Sequence, residues 1–381
     1  MMVRKNGPWR KRLSSDILIF VEDPGPANFV APLPDVFRRE GWSVVTLTAG
    51  LATGLLSARG VAVEALPSVA EGENVLSSLH PRLLMVGAAE NPDSMGLSLL
   101  RAARSARVPS VGVIDARMNA EKRFRGRSKD ALAYAPDWLF VPDNWTKEAF
   151  VSLGFSGVRA VVCGHPHYDH IRNLAEPWRR EDRTALRRRL FARAAEAQKI
   201  VIFVCEGSRR TEKWPAEVFA TYTLAGRGDV PGRTEAVLEE FLDAAASIVP
   251  RPYLVLRIHP KDERADYAAY LHAFDQVSDG GSPLEAVYAA DLAVGMTSML
   301  LLEAALLDRP TLSIVPRPSE REWLPSVGLG LTPCVASREE LRAVLPAMLS
   351  GPDACIVAER EQSVITGAAE RIVSVIHTLL S

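Results

Sequence analysis

Short apolar runs recur along the chain, each closed by small or polar residues, and between them lie longer stretches with an apolar position every three to four residues. The short runs read as strands buried on both faces, and the longer stretches as amphipathic helices. ILIFV (17–21), VVTLT (44–48), PRLLMVGAA (81–89), VPSVGVID (108–115), PDWLFVPD (136–143) and VRAVVCG (158–164) are the strands of the first half, with a further short one after Ala58. A charged helical stretch, 174–198, follows. Strands then resume with KIVIFVCEG (199–207), LVLRI (254–258), LAVGM (292–296) and TLSIV (311–315). Regular alternation of strand and helix predicts a doubly wound α/β chain with parallel sheets.

The stretch from Tyr253 to Pro316 organises the second half. It reads as strand, polar turn, helical segment, strand, apolar helix and strand. Ligands of such sheets bind at the carboxyl ends of the strands. There the chain places His259, Lys261, Gly295, Thr297 and Ser298. Gly295 leaves room for a backbone to approach a ligand, Thr297 and Ser298 can cap the following helix, and that helix start favours an anion. His259 adds a hydrogen-bond donor, so the group reads as a diphosphate site. In the first half, ILIFV opens into Glu22–Asn28, too rich in proline and glycine for regular structure, and Asn28 starts a helix over roughly Phe29–Glu40. Ser337-x-x-Glu340 is a capping box for a helix over 337–349.

A chain of 381 residues predicts two domains: 16–173, and 174–352 with a final helical segment, 353–381, that crosses back. Residues 1–15 are basic and read as a disordered leader. The apolar run behind them is too short for a signal peptide, and no stretch approaches about twenty apolar residues, so a cytoplasmic protein is expected. Contact of the basic arm with an anionic membrane face stays open, as does a homodimer. A net charge of −1 argues against nucleic acid as a partner. Four cysteines without a CxxC pair argue for a reducing compartment.

Ser298-x4-Glu303-Ala, ending at Arg309-Pro310, resembles the donor-site helix of GT-B glycosyltransferases, lipid-A-disaccharide synthases and the CDP-glycerol glycerophosphotransferase group. LRIHPKD resembles the strand-plus-HP motif of that last group and of hydrolysing UDP-GlcNAc 2-epimerases. DPGPAN (23–28), and Asp115 followed by Asn119 and Arg123-Phe124, resemble loops of surface-polysaccharide transferases. The resemblance implies a GT-B fold, two Rossmann-like domains facing across a cleft. It implies a metal-independent transferase moving a glycosyl or polyol-phosphate group from a nucleotide-activated donor to a glycan, lipid-linked or small-molecule acceptor. The nucleotide-diphosphate-linked donor is then substrate, with no permanently bound cofactor.

In that reading Ser208, Arg209, His259, Lys261, Gly295, Thr297, Ser298 and Glu303 hold the donor, Glu303 through the ribose hydroxyls. Asp115 is the general base, and Asp23, Gly25, Asn28, Glu90 and Arg123 lie on the acceptor side. A hydrolysing UDP-sugar 2-epimerase and a non-catalytic GT-B-like binding protein remain the alternatives. His165-x-His167-x-Asp169-His170 also matches a zinc-hydrolase motif. The βα alternation before it and the absence of glycines after it argue against metal there.

Overall fold

A computed structural model of the protein describes residues 14–66, 68–180, 183–207, 220–228, 232–350 and 365–381. The chain forms two compact units, one from Met1–His170 with Ile365–Ser381 and the other from Ile171–Val364. Each is a parallel α/β sheet covered by helices, as the strand patterning predicts.

The first unit has seven parallel strands, β1 (Ile17–Val21), β2 (Val44–Thr48), β3 (Glu64–Ala65), β4 (Leu83–Gly87), β5 (Ser110–Val113), β6 (Trp138–Val141) and β7 (Ala160–Val162), in the order β3-β2-β1-β4-β5-β6-β7. β1 is wholly buried because it feeds a core on each face. Leu18 and Phe20 pack with Leu84 and Val86, while Ile17, Ile19 and Val21 pack with Leu83 and Met85. That two-sided burial is why the strand reads as an unbroken apolar run. The chain winds outward from β1 to β3 and then crosses to β4, so the strand order reverses between β1 and β4. Such a reversal opens a crevice at the carboxyl edge.

The proline-rich segment after β1 corrects the expected irregular turn. A helix runs over Pro24–Val30, breaks at Ala31-Pro32, and a second runs over Leu33–Arg39. Pro24 and Pro26 both fall in the first turn, where an N–H has no intrahelical acceptor, so neither costs a hydrogen bond. Asn28 therefore lies inside a helix rather than at its start.

The second unit has six parallel strands, β8 (Ile200–Val204), β9 (Tyr253–Arg257), β10 (Gln276–Ser278), β11 (Leu292–Gly295), β12 (Thr311–Ile314) and β13 (Cys334–Val335), in the order β10-β9-β8-β11-β12-β13. β10 is an unexpected strand ahead of the helical segment expected between β9 and β11. It follows two short 3-10 turns, Arg264–Tyr267 and Leu271–Ala273, and precedes the helix Pro283–Ala289. Three half-buried residues on a sheet edge carry no apolar run, so no sequence pattern marks them. β10 makes the chain step outward from β8 and then return to β11 on the far side, which sets the switch point between β8 and β11.

Arginines of the charged stretch 174–198 brace the second sheet. Arg183 and Arg187 hold Asp291, at the start of β11, at 3.0 and 2.6 Å. Burial opposes ionisation of Asp291, but the Ile200 N–H and both guanidiniums hold its carboxyl below the usual range. At the capping box, Ser337 Oγ accepts from Glu340 N–H at 3.1 Å, and Glu340 Oε2 accepts from Ala336 N–H at 2.7 Å. Among the described residues no helix is long and apolar enough to cross a membrane.

The His165–His170 motif is spent on packing. His165 stacks on Tyr168 at 4.3 Å and lies 4.7 Å from Phe29. Asp169 accepts from Gly367 and Ala368 N–H and so tops the helix Ala368–Leu380. Among the described residues no cluster of three His, Cys, Asp or Glu is arranged to hold a metal.

His165 predicts an acid-sensitive fold. Burial, reinforced by His167 and Arg59, depresses its pKa well below 6.5. The unfolded chain takes up a proton near pH 6.5 and the folded chain does not, so this contribution to stability is flat above that pH and falls below it, by about 1.4 kcal/mol per pH unit for one proton. Urea midpoints between pH 7 and 5 should fall less for His165→Asn than for the wild type; equal slopes would remove His165 as the cause.

Candidate functional site

At the carboxyl edge of the second unit, the ends of β8, β9 and β11 enclose a pocket of about 410 Å³. Glu206, Gly207, Arg257, His259, Ser298 and Glu303 are among its lining residues. The volume falls within the ordinary range of small-molecule sites.

His259 leaves the end of β9 half-buried. Its Nδ1 accepts from the Lys261 backbone N–H at 3.1 Å, which assigns the ring proton to Nε2. Burial lowers its pKa, Asp262 opposes this and Lys261 adds to it. At neutral pH the ring is uncharged and offers one Nε2–H donor. Gly207 makes room for it, since a Cβ there would lie 2.9 Å from His259 Nδ1. Lys261 differs from expectation: its side chain is exposed and outside the pocket lining, and its contribution is the backbone N–H.

Ser298 caps the helix Met299–Leu306, its Oγ accepting from Leu300 N–H at 3.4 Å. Thr297 does not cap. Its N–H and its hydroxyl both donate to Glu206 Oε1, the hydroxyl at 2.7 Å. Gly295 serves the sheet rather than a ligand, because a Cβ there would lie 2.8 Å from the Val204 carbonyl oxygen. Glu303 shares the pocket-facing side of its helix with Met299, while Leu301, Leu302, Ala304, Ala305 and Leu306 are buried. Its carboxylate therefore avoids the desolvation that an apolar helix otherwise imposes. Ser208 and Arg209 lie outside the described residues.

Sequence reasoning missed a charge network behind this pocket. Glu206 Oε2 pairs with Arg233 at 2.5 Å, Arg233 with Glu320 at 2.5 Å, and Glu320 with Arg317 at 2.8 Å. Glu320 is fully buried. Both guanidiniums also pack on the ring of Trp323, at 5.3 and 5.6 Å. Burial pulls the Arg233 pKa down, but Glu206 and Glu320 outweigh it and raise it above its ordinary value. Arg233 and Glu320 are 87 positions apart, so no spacing signals the pair. Arg257 was also missed; it is buried and donates to Ser278 Oγ at 2.8 Å and to the Gly280 and Gly281 carbonyls.

The carboxyl edge of the first unit gathers acids around one buried arginine. Arg123 lies 3.4 Å from Asp115 Oδ1 and 3.6 Å from Glu90 Oε1, and donates to the Ala88 carbonyl at 3.1 Å. Asn119 Nδ2 donates to Glu90 Oε2 at 2.9 Å. Asp115 lies directly over Gly25: a Cβ on Gly25 would be 1.9 Å from its Oδ2. Burial raises the pKa of Asp23, with Arg123 opposing and Asp115 reinforcing, and burial likewise raises that of Glu22. Asn28 Oδ1 is buried without a hydrogen-bond partner among the described residues. Asp23, Gly25, Glu90, Asp115 and Arg123 thus meet at one edge.

Two parallel Rossmann-like units of this kind make a GT-B-like fold, and comparison with solved structures agrees. A UDP-GlcNAc 2-epimerase from Neisseria meningitidis, bound to UDP-GlcNAc, is 15% identical, aligns over 95% of this chain and 99% of its own, and gives a TM-score of 0.66. S. aureus MnaA with UDP is 15% identical over 96% and 97%, with a TM-score of 0.67. Anabaena HepE with UDP and glucose is 14% identical over 96% and 100%, with a TM-score of 0.62. No family model matches the sequence, and no curated relative matches it.

Proposed function

We propose that the protein is an epimerase of a UDP-linked sugar, acting at C2 in the manner of a hydrolysing UDP-sugar 2-epimerase. The pocket supports the nucleotide-diphosphate part of this reading. A neutral His259 donor and the Ser298 helix start follow the ends of β9 and β11, which flank β8, with Glu303 one turn into the helix. The structural neighbours that cover 95–96% of the chain include several UDP-GlcNAc 2-epimerases. They overturn the expected transferase. The motifs behind that expectation belong to a nucleotide-diphosphate site, and such a site serves any reaction in which that group leaves. Nothing in them encodes an acceptor.

The chemistry assigns the parts. Inverting C2 requires its C–H bond to break, and the electron pair needs a sink. Cleavage of the anomeric C–O bond supplies one: the proton leaves C2, a C1=C2 double bond forms and the diphosphate departs. The His259 Nε2–H and the N–H groups at the Ser298 helix start meet the developing phosphate charge as fixed dipoles. Glu303 accepts from the ribose hydroxyls. Asp115 takes the C2 proton. Water then adds across the double bond, a proton to the opposite face of C2 and the hydroxyl to C1, which gives the free C2 epimer and UDP. The residues expected on an acceptor side become a proton-transfer edge, since water is the only acceptor this reaction needs. The test is proton NMR of UDP-GlcNAc with the protein in D2O. Loss of the C2 proton signal with appearance of the C2 epimer or free UDP is expected. An unchanged C2 proton would overturn the reading.

A further inference from the structure

The pocket read above as a phosphate site has a carboxylate, Glu206, in its lining. The turn into the Met299–Leu306 helix presents N–H groups that favour an anion, yet Glu206 Oε1 already accepts from the Thr297 N–H and hydroxyl. Its other oxygen is held by Arg233, and Arg233 by the fully buried Glu320, which Arg317 also holds. Two carboxylates thus balance two guanidiniums. Among the described residues the pocket offers phosphate hydrogen-bond donors but no uncompensated positive charge from this network.

We infer that Glu206 determines the site's affinity for anions: it cancels the field of Arg233 beside the diphosphate and keeps the nucleoside diphosphate weakly bound, so that it can leave. This rests on the nucleotide-diphosphate reading above. A carboxylate next to an anionic ligand opposes binding by direct repulsion. Dislodging it would strip a buried arginine of one partner, so it stays in place when ligand arrives. Glutamine at 206 keeps the shape and the oxygen that accepts from Thr297, and replaces the charged oxygen held by Arg233 with an uncharged NH2, so that the charge and the Arg233 hydrogen bond are lost together.

The test is titration calorimetry of the full chain, wild type and Glu206→Gln, with uridine, UMP and UDP. Affinity for uridine should be equal in the two proteins. UMP should bind the variant a few-fold tighter and UDP about tenfold tighter, a gap that grows with ligand charge. A residue that only braces the Thr297 turn would instead weaken all three ligands alike. Unchanged or weaker UDP binding by Glu206→Gln, with UDP bound by the wild type, overturns the role of Glu206 alone. Failure of the wild type to bind UDP overturns this inference and the nucleotide reading together.

Discussion

His259→Ala should lower kcat/KM for the UDP-sugar by about two orders of magnitude, the scale of losing one fixed donor to developing charge. The substitution removes the Nε2–H and also the Nδ1 acceptor of the Lys261 N–H. His259→Gln can restore a donor without restoring the ring, and should recover part of the loss. Because burial lowers the His259 pKa, the functional form is the neutral one, and UDP affinity should stay level from pH 7 to 8.5. A required imidazolium would instead lose affinity as pH rises through about 6.5. Unaltered kinetics in a folded His259→Ala protein would remove the residue from the site.

The doubly wound sheets were legible because both faces of β1, β8 and β9 are buried, which writes each strand as a continuous apolar run. β10 was illegible for the converse reason, since Gln276–Ser278 is half-buried at an edge. The Pro24–Val30 helix hid behind residues that usually mark loops, although first-turn positions tolerate proline. His259, Ser298 and Glu303 stood out because each follows a strand end at short range. Glu206, Arg233, Glu320 and Arg317 did not, because the fold assembles them from distant segments. The reaction was the least legible part. A diphosphate-binding pattern reports which group leaves, and does not report whether a proton or an acceptor takes part.

Asp115→Asn should abolish C2 proton exchange, with a loss of about a hundred- to ten-thousand-fold, while UDP affinity changes little. Asparagine keeps the shape and removes the basic oxygen pair. The nucleotide pocket belongs wholly to the second unit, so a change confined to the first should leave UDP binding intact. Gly25→Ala provides an independent route to the same outcome. The new Cβ would lie 1.9 Å from Asp115 Oδ2, so the carboxylate must move out of its place beside Arg123. The helix Pro24–Val30 favours alanine over glycine, so the variant should fold, and the clash falls on a side chain rather than on backbone. Both variants should bind UDP like the wild type by calorimetry and show slowed C2 exchange by NMR in D2O. The decisive contrary results are loss of UDP binding in Asp115→Asn, or full exchange in Gly25→Ala. The first would make Asp115 part of the nucleotide site, and the second would show that its position over Gly25 is irrelevant to proton transfer.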